Sequence, residues 1–105
     1  MNKLPNHCLD VLNFLRLQRY HKKKYFKHGI AYISKKDAKD VLKISNASFL
    51  KVLTFLDEFG FYLQQIDKNI FKLNFSRTKY DTLNDFKDYF NLKVFDGKYI
   101  LKNSD

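Results

Sequence analysis

The residues most able to do chemistry in this sequence are cations that stand close together in its first half. Residues 1–52 hold twelve Lys or Arg against three Asp, an excess of nine, whereas residues 53–105 hold eight basic and eight acidic residues. The densest run is RLQRYHKKKYFK, residues 16–27, and its centre is Lys22, Lys23 and Lys24. Lys and Arg neutralise phosphates and release their counterions, so this run is a candidate phosphate-binding segment. The alternative is a solvated helix end, where cations interact favourably with the helix dipole.

Residue types used in catalysis and metal binding form no recognisable site. The glycines, at positions 29, 60 and 97, are too far apart for a phosphate-cradling loop. The soft metal ligands do not have the spacing of a zinc site, and they are His7, Cys8, His21 and His28. Two pairs of carboxylates could hold magnesium, namely Asp37/Asp40 and Asp85/Asp88. They are explained more simply as acidic residues at helix starts and on solvated helix faces. We therefore expect no enzyme, metal, cofactor or small-molecule ligand, and we expect Cys8 to be a small buried residue.

Length and composition predict one domain spanning residues 1–105. With 45% apolar and 30% charged residues the chain lies in the globular range. No stretch approaches the ~18 apolar residues of a membrane helix. Asp10 and Asn13 interrupt the first apolar run, and the positive charge follows that run, which is not the pattern of a signal peptide. We expect a soluble cytoplasmic protein without a membrane partner.

Apolar residues at spacings of three and four predict three helices before residue 61, at about 6–27, 35–42 and 46–59. The second is expected to bury Ala38, Val41 and Leu42. Residues 30–33 form an extended link. The predicted caps and breakers are Pro5 with Asn6, Ser34 with Asp37, Ser45, and Gly60.

After Gly60 the apolar period falls to about two, which predicts strands. Residues 61–66 and 70–75 flank a polar tip and form a hairpin. Asp81 caps a further helix, and Asp96-Gly97 joins the strands of a second hairpin. The fold class is therefore α+β.

The spacing of residues 30–75 resembles that of the winged helix-turn-helix family of DNA-binding domains. The residues that carry the resemblance are Ala38, Leu42, Ile44 and Ser45, followed by Phe49, Leu53, Leu56, Gly60 and Phe61. The resemblance implies a winged-helix core at about 30–75, with an N-terminal helix at 6–27 and a C-terminal helix-hairpin extension at 80–103.

The family's mode of binding implies that helix 46–59 enters the major groove of double-stranded DNA and that hairpin 61–75 lies along the flanking backbone. Asn46 would then pair with adenine, Ala47 would touch a thymine methyl, and Lys51 would reach a guanine or a phosphate. Ser45 and Ser48 are capping or phosphate-binding hydroxyls. The remaining predicted DNA contacts are Lys35, Lys36, Lys68, Asn69 and Lys72, together with the basic run.

The sequence departs from the family's pattern at three places. Lys39 replaces a small residue, and Lys43 stands where glycine often takes a left-handed conformation, at a cost of roughly 1 kcal/mol. Leu50 and Phe55 are apolar where a groove-reading helix is polar. They indicate that helix one, the C-terminal unit or a partner chain covers part of helix three.

The prediction is a small sequence-specific DNA-binding protein, most simply a transcriptional regulator that acts as a homodimer. Its dimer face would be Leu9, Leu12 and Leu15 of the first helix, or the C-terminal helix. Its size and Lys-, Phe- and Asn-rich composition are similar to those of regulators encoded by viruses and plasmids. The alternatives are a protein-interaction module on the same scaffold and a replication or partition factor.

Overall fold

The chain forms an α+β fold in which helices alternate with short antiparallel strands. The computed structural model describes residues 3–21, 30–74, 76–77 and 80–102. The helices are α1 (Cys8–His21), α2 (Lys35–Asp40), α3 (Asn46–Leu56) and α4 (Thr82–Tyr89), and a π-helical turn, Asp57–Phe61, follows α3. The strands are β1 (Ile30–Ser34), β2 (Gln64–Asp67), β3 (Ile70–Asn74), β4 (Ser76–Arg77), β5 (Tyr80–Asp81), β6 (Leu92–Phe95) and β7 (Lys98–Leu101). Within the described ranges no helix has the length and hydropathy needed to cross a bilayer.

Residues 30–33, expected to be an extended link, form together with Ser34 the third strand of a sheet. The order of that sheet is β1–β3–β2, and β1 pairs with β3 from Ile30 opposite Asn74 to Ser34 opposite Ile70. Ala31 and Ile33 alternate with less buried neighbours and point into the core. The link is therefore held by a strand that lies far away in the sequence, which local patterning does not reveal.

The segment from Ser34 to Ser45 contains the cap of α2, α2 itself, a tight turn and the cap of α3. Ser34 and Asp37 make the reciprocal hydrogen bonds of a capping box, at 3.0 and 2.9 Å. Lys43 has a φ of 58°, so the predicted left-handed position is confirmed with a lysine in it. The helix before the turn ends at Asp40 instead of Leu42, and Val41, predicted to be buried, is 60% exposed.

The third helix also ends earlier than predicted, because its last turn widens. Regular α-helix stops at Leu56, and the π-helical turn brings Gly60 to a φ of 132°. Few residues other than glycine adopt that angle. The Asp57 carboxylate accepts a hydrogen bond of 2.9 Å from the Leu63 backbone N–H, which ties this turn to the hairpin.

The first helix begins at Cys8, two residues after the predicted start. A turn closed by a hydrogen bond from the Cys8 N–H to the Pro5 carbonyl precedes it, and His7 takes a φ of 67°. Asn6 is therefore not its cap. Leu12 and Leu15 have no exposed surface, so they belong to the core and the predicted dimer face on this helix is wrong.

The C-terminal unit covers two sides of the core. Phe86 and Phe90 of its helix region pack in a cluster of rings with Phe55, Phe59 and Phe61, at centroid separations of 4.6 to 6.3 Å. The β6–β7 hairpin lies against α1 instead.

Two side chains of α1 hold that hairpin. The side-chain amide of Asn13 donates to the Tyr99 carbonyl at 3.1 Å and accepts from the Tyr99 N–H at 2.8 Å, as a neighbouring strand would. Arg16 donates to the Gly97 carbonyl at 3.2 Å, and its guanidinium lies 3.9 Å from the centre of the Tyr99 ring. These contacts join α1 to a hairpin that lies 81 to 86 residues later in the chain.

Candidate nucleic-acid interface

The N-terminal half of α3 presents a solvent-facing surface opposite its buried side. Phe49, Val52, Leu53 and Leu56 are buried, and Phe49 meets Phe71 of β3 edge to face at 5.8 Å. Exposed side chains occupy the other side of α3, and they are Asn46, Ala47, Leu50, Lys51 and Thr54. The three side chains predicted to read bases therefore share one accessible surface, which we call the α3 face.

Charge is distributed unevenly along the α3 face. Lys51 lies at the middle of α3, and the exposed Glu58 follows beyond the end of α3, in the π-helical turn. The helix dipole adds partial positive charge at the Asn46 end. An anionic ligand is therefore favoured at the N-terminal half and disfavoured at the C-terminal end.

The two serines at the start of α3 differ in what they can do. The Ser45 hydroxyl oxygen accepts from the Ser48 backbone N–H at 3.2 Å and its O–H donates to the Ser48 hydroxyl at 3.1 Å. Ser45 is thus confirmed as the N-cap, and both of its hydrogen-bonding functions are used inside the turn. The Ser48 hydroxyl receives this bond, which leaves its own O–H as the donor available to a phosphate.

The hairpin tip lies beside the start of α2. The Lys35 backbone N–H donates to the Asn69 carbonyl at 2.9 Å. This bond brings Lys35 and Lys36 next to Lys68 and Asn69, and all but the half-buried Lys35 are exposed. Four of the predicted DNA contacts therefore form a second group, held by backbone hydrogen bonding.

Lys72 does not join the α3 face. Its neighbours in β3, Phe71 and Leu73, point into the core toward α3, and strand side chains alternate between faces. Lys72 therefore lies on the outer face of the sheet, beside Tyr32 and Gln64 of the adjacent strands.

An open groove of about 680 Å³ runs along the α3 face, with the N-terminal segment as its other wall. Lys3 and Pro5 form that wall, and the α3 residues along it are Ala47, Leu50, Lys51, Thr54 and Phe55 with the following Glu58. Sequence reasoning did not find Lys3, because no local spacing relates it to a helix so much later in the chain.

Arg16, the first cation of the basic run, is held inside the fold. Arg16 is only 9% exposed and is engaged by the β6–β7 hairpin, so it is not part of a cationic surface. Lys22, Lys23 and Lys24 lie outside the described residues, and so does the predicted end of this helix near residue 27.

The metal-ligating residue types stay apart in the described part of the chain. There, no three His, Cys, Asp or Glu side chains come together as a metal site. Cys8 is buried as predicted, and burial raises the pKa of its thiol to about 12, so it is a poor nucleophile. Asp37 is engaged in the capping box.

Comparison with protein-family models, with curated proteins and with solved structures gave no match to this chain. The α3 face and the elements that hold it are therefore the basis on which a function can be assigned.

Proposed function

We propose that this protein is a sequence-specific double-stranded DNA-binding protein, and that it acts as a small transcriptional regulator. The observation that carries the proposal is the α3 face. It is an exposed helix surface with Asn46, Ala47 and Lys51 in its first two turns, backed by a core that fixes its orientation. A helix with such a surface fits the major groove, whose width is about 12 Å.

The order of elements supports a winged-helix core within the α+β fold. A short helix, a tight turn and α3 are followed by the β2–β3 hairpin, and this hairpin returns to pair with β1. In this proposal α3 reads the groove, and the hairpin tip lies along the neighbouring phosphates.

Several of the predicted contacts on the α3 face and at the hairpin tip then have a defined role. Asn46 pairs with an adenine edge, and Lys51 reaches a guanine or a phosphate. The Ser48 hydroxyl donates to a phosphate at the start of α3. The hairpin-tip group contacts the backbone on one side and consists of Lys35, Lys36, Lys68 and Asn69.

We further propose a homodimer that uses the C-terminal unit. Because Leu12 and Leu15 are in the core, the exposed apolar side chains nearest the end of the described chain are the better candidates. They are Tyr89, Val94, Phe95 and Leu101, each between 44% and 65% exposed. Sedimentation equilibrium of the wild type and of Phe95→Lys tests this, since the variant should remain monomeric where the wild type dimerises.

Selection from random duplexes, followed by fluorescence anisotropy at several salt concentrations, tests DNA binding. We expect enrichment of one sequence and an affinity that falls steeply with salt. Asn46→Ala with Lys51→Ala should abolish the preference for the selected duplex over a random one. Thr54→Ala, a neutral change on the same face, is the matched control and should keep most of that preference.

A triple change of Lys22, Lys23 and Lys24 to Ala separates phosphate contacts from base reading. It should weaken binding to all sequences alike and lower the slope of log affinity against log salt by up to about three. If the triple variant altered the preference while Asn46→Ala did not, α3 would not be the reading helix.

One observation favours the second candidate, a protein-interaction module. The groove beside α3 has Pro5, Ala47, Leu50 and Phe55 in its lining, which suits an apolar side chain of a partner. That candidate predicts no binding to random duplex at moderate salt, whereas the DNA-binding proposal predicts weak binding there.

A further inference from the structure

Leu50 is an apolar side chain on the surface that is proposed to read DNA. It is 37% exposed, and it follows Asn46 by four positions and Ala47 by three, so the three side chains are neighbours on the α3 face. Phe55, the other apolar residue of this helix side, packs on Phe86 and Phe90 at 6.3 and 5.7 Å. The C-terminal unit therefore covers part of Phe55, which is half-buried, whereas Leu50 is exposed, although both line the groove.

We propose that Leu50, together with Ala47, recognises thymine methyl groups, so that the selected DNA sequence carries A·T pairs under the first turns of α3. The inference rests on the proposed function and adds Leu50 as a residue that determines sequence specificity. In the major groove thymine presents its methyl group beside the adenine edge of the same pair. Asn46 and Leu50 would read these two neighbouring features.

The geometry of the helix suits this pairing. Asn46 and Lys51 are separated by about 7.5 Å along the helix axis, given the 1.5 Å rise per residue. Successive base pairs are about 3.4 Å apart, so the segment from Asn46 to Lys51 spans roughly two steps. Leu50 and Ala47 lie between a hydrogen-bonding side chain and a cation, the arrangement needed to contact a methyl group, a base edge and a phosphate together.

Charge around the groove favours nucleic acid as the occupant of this surface. Lys3 and Lys51 both line the groove, while its acidic residue, Glu58, lies beyond the end of α3. Phosphates can approach the basic end while the apolar strip contacts the bases. An uncharged peptide would gain from the apolar strip but would leave both lysines without counter-charges.

The test compares the selected duplex with a copy in which every thymine is replaced by deoxyuridine, which lacks only the methyl group. Fluorescence anisotropy of the full chain should show about fourfold weaker binding for each contacted methyl that is lost. Leu50→Ala should bind the two duplexes more equally than the wild type does. Val41→Ala, a change at an exposed apolar residue outside α3, is the matched control and should keep the wild-type ratio.

The outcomes separate this inference from the proposed function. Equal wild-type affinity for the two duplexes would overturn the role of methyl groups and leave DNA binding intact. An unchanged ratio in a folded Leu50→Ala variant, with folding checked by circular dichroism, would overturn the role of Leu50. Binding to neither duplex at low salt would overturn the proposed function and this inference together, and would favour a protein partner in the groove.

Discussion

The contact between Asn13 and Tyr99 holds the β6–β7 hairpin against α1, and it can be tested with one isosteric change. In Asn13→Asp the carboxylate can still accept from the Tyr99 N–H. Its second oxygen, however, faces the Tyr99 carbonyl, to which the asparagine amide now donates at 3.1 Å. The variant therefore loses a donor and places two negative oxygens together.

The size of the effect follows from the group that loses its partner. A backbone carbonyl without a hydrogen bond in a partly buried site costs about 1–3 kcal/mol. A domain of this size changes its melting temperature by about 4–8 °C per kcal/mol, so we expect Asn13→Asp to melt about 10 °C below the wild type at pH 7. Asn13→Leu removes both hydrogen bonds and should melt lower still.

The introduced carboxyl makes the stability difference between Asn13→Asp and the wild type depend on pH in a definite direction. Only the protonated form of the introduced carboxyl donates to the Tyr99 carbonyl, so folding should raise the pKa of this carboxyl above the unfolded value of about 3.9. The loss of stability relative to the wild type is then largest when the pH is above the pKa of this carboxyl in the folded protein. The loss shrinks as the pH falls through that pKa. Arg16, one turn away and engaged with Gly97, opposes this shift by attracting the carboxylate.

Thermal denaturation of the wild type and of Asn13→Asp between pH 3.5 and 7 measures the difference in melting temperature and its pH dependence. Asn6→Asp, at an exposed position, is the control for adding a carboxylate near α1. Hydrogen exchange adds a local readout, because the Tyr99 amide should exchange slowly in the wild type and quickly in Asn13→Leu. A melting temperature within about 2 °C of the wild type at pH 7 would show that these hydrogen bonds do not anchor the hairpin.

Three more predictions concern single residues. Lys43→Gly should raise the unfolding free energy by up to about 1 kcal/mol in urea denaturation, because glycine adopts a φ of 58° without the side-chain penalty, while Lys43→Ala should not. Asp37→Ala should lower the unfolding free energy by about 1 kcal/mol, because the capping box is lost. An unchanged midpoint of urea denaturation would show that Ser34 alone caps α2 adequately. Cys8, whose pKa is raised to about 12, should react with a disulfide reagent at pH 8 only after unfolding in urea, and rapid labelling of the native protein would contradict its burial.

Features of the fold that depend on neighbouring residues could be predicted from the sequence. The Ser34 and Ser45 caps, the left-handed Lys43 and the Asp96-Gly97 hairpin turn each depend on a few adjacent residues, and the structure confirms all four. Both residues of that last turn have positive φ, 53° and 76°, as a two-residue hairpin loop requires.

Features that depend on distant pairing could not be predicted. The role of Asn13 and Arg16 is set by residues at the other end of the chain, and nothing in their own surroundings separates them from other polar residues of a helix. For the same reason Leu12 could be interpreted as a dimer contact, since a helix shows which side is apolar but not what covers that side.

Leu50 and Phe55 show how this limit bears on function. Both interrupt the polar pattern expected of a groove-reading helix. The sequence offers the same explanation for both residues, which is that another element covers them. The structure separates them, because the rings of Phe86 and Phe90 lie against Phe55 whereas Leu50 remains 37% exposed beside the open groove. We propose that this accessible side chain next to Asn46 meets the major-groove edge of an A·T pair, which presents apolar and hydrogen-bonding groups side by side.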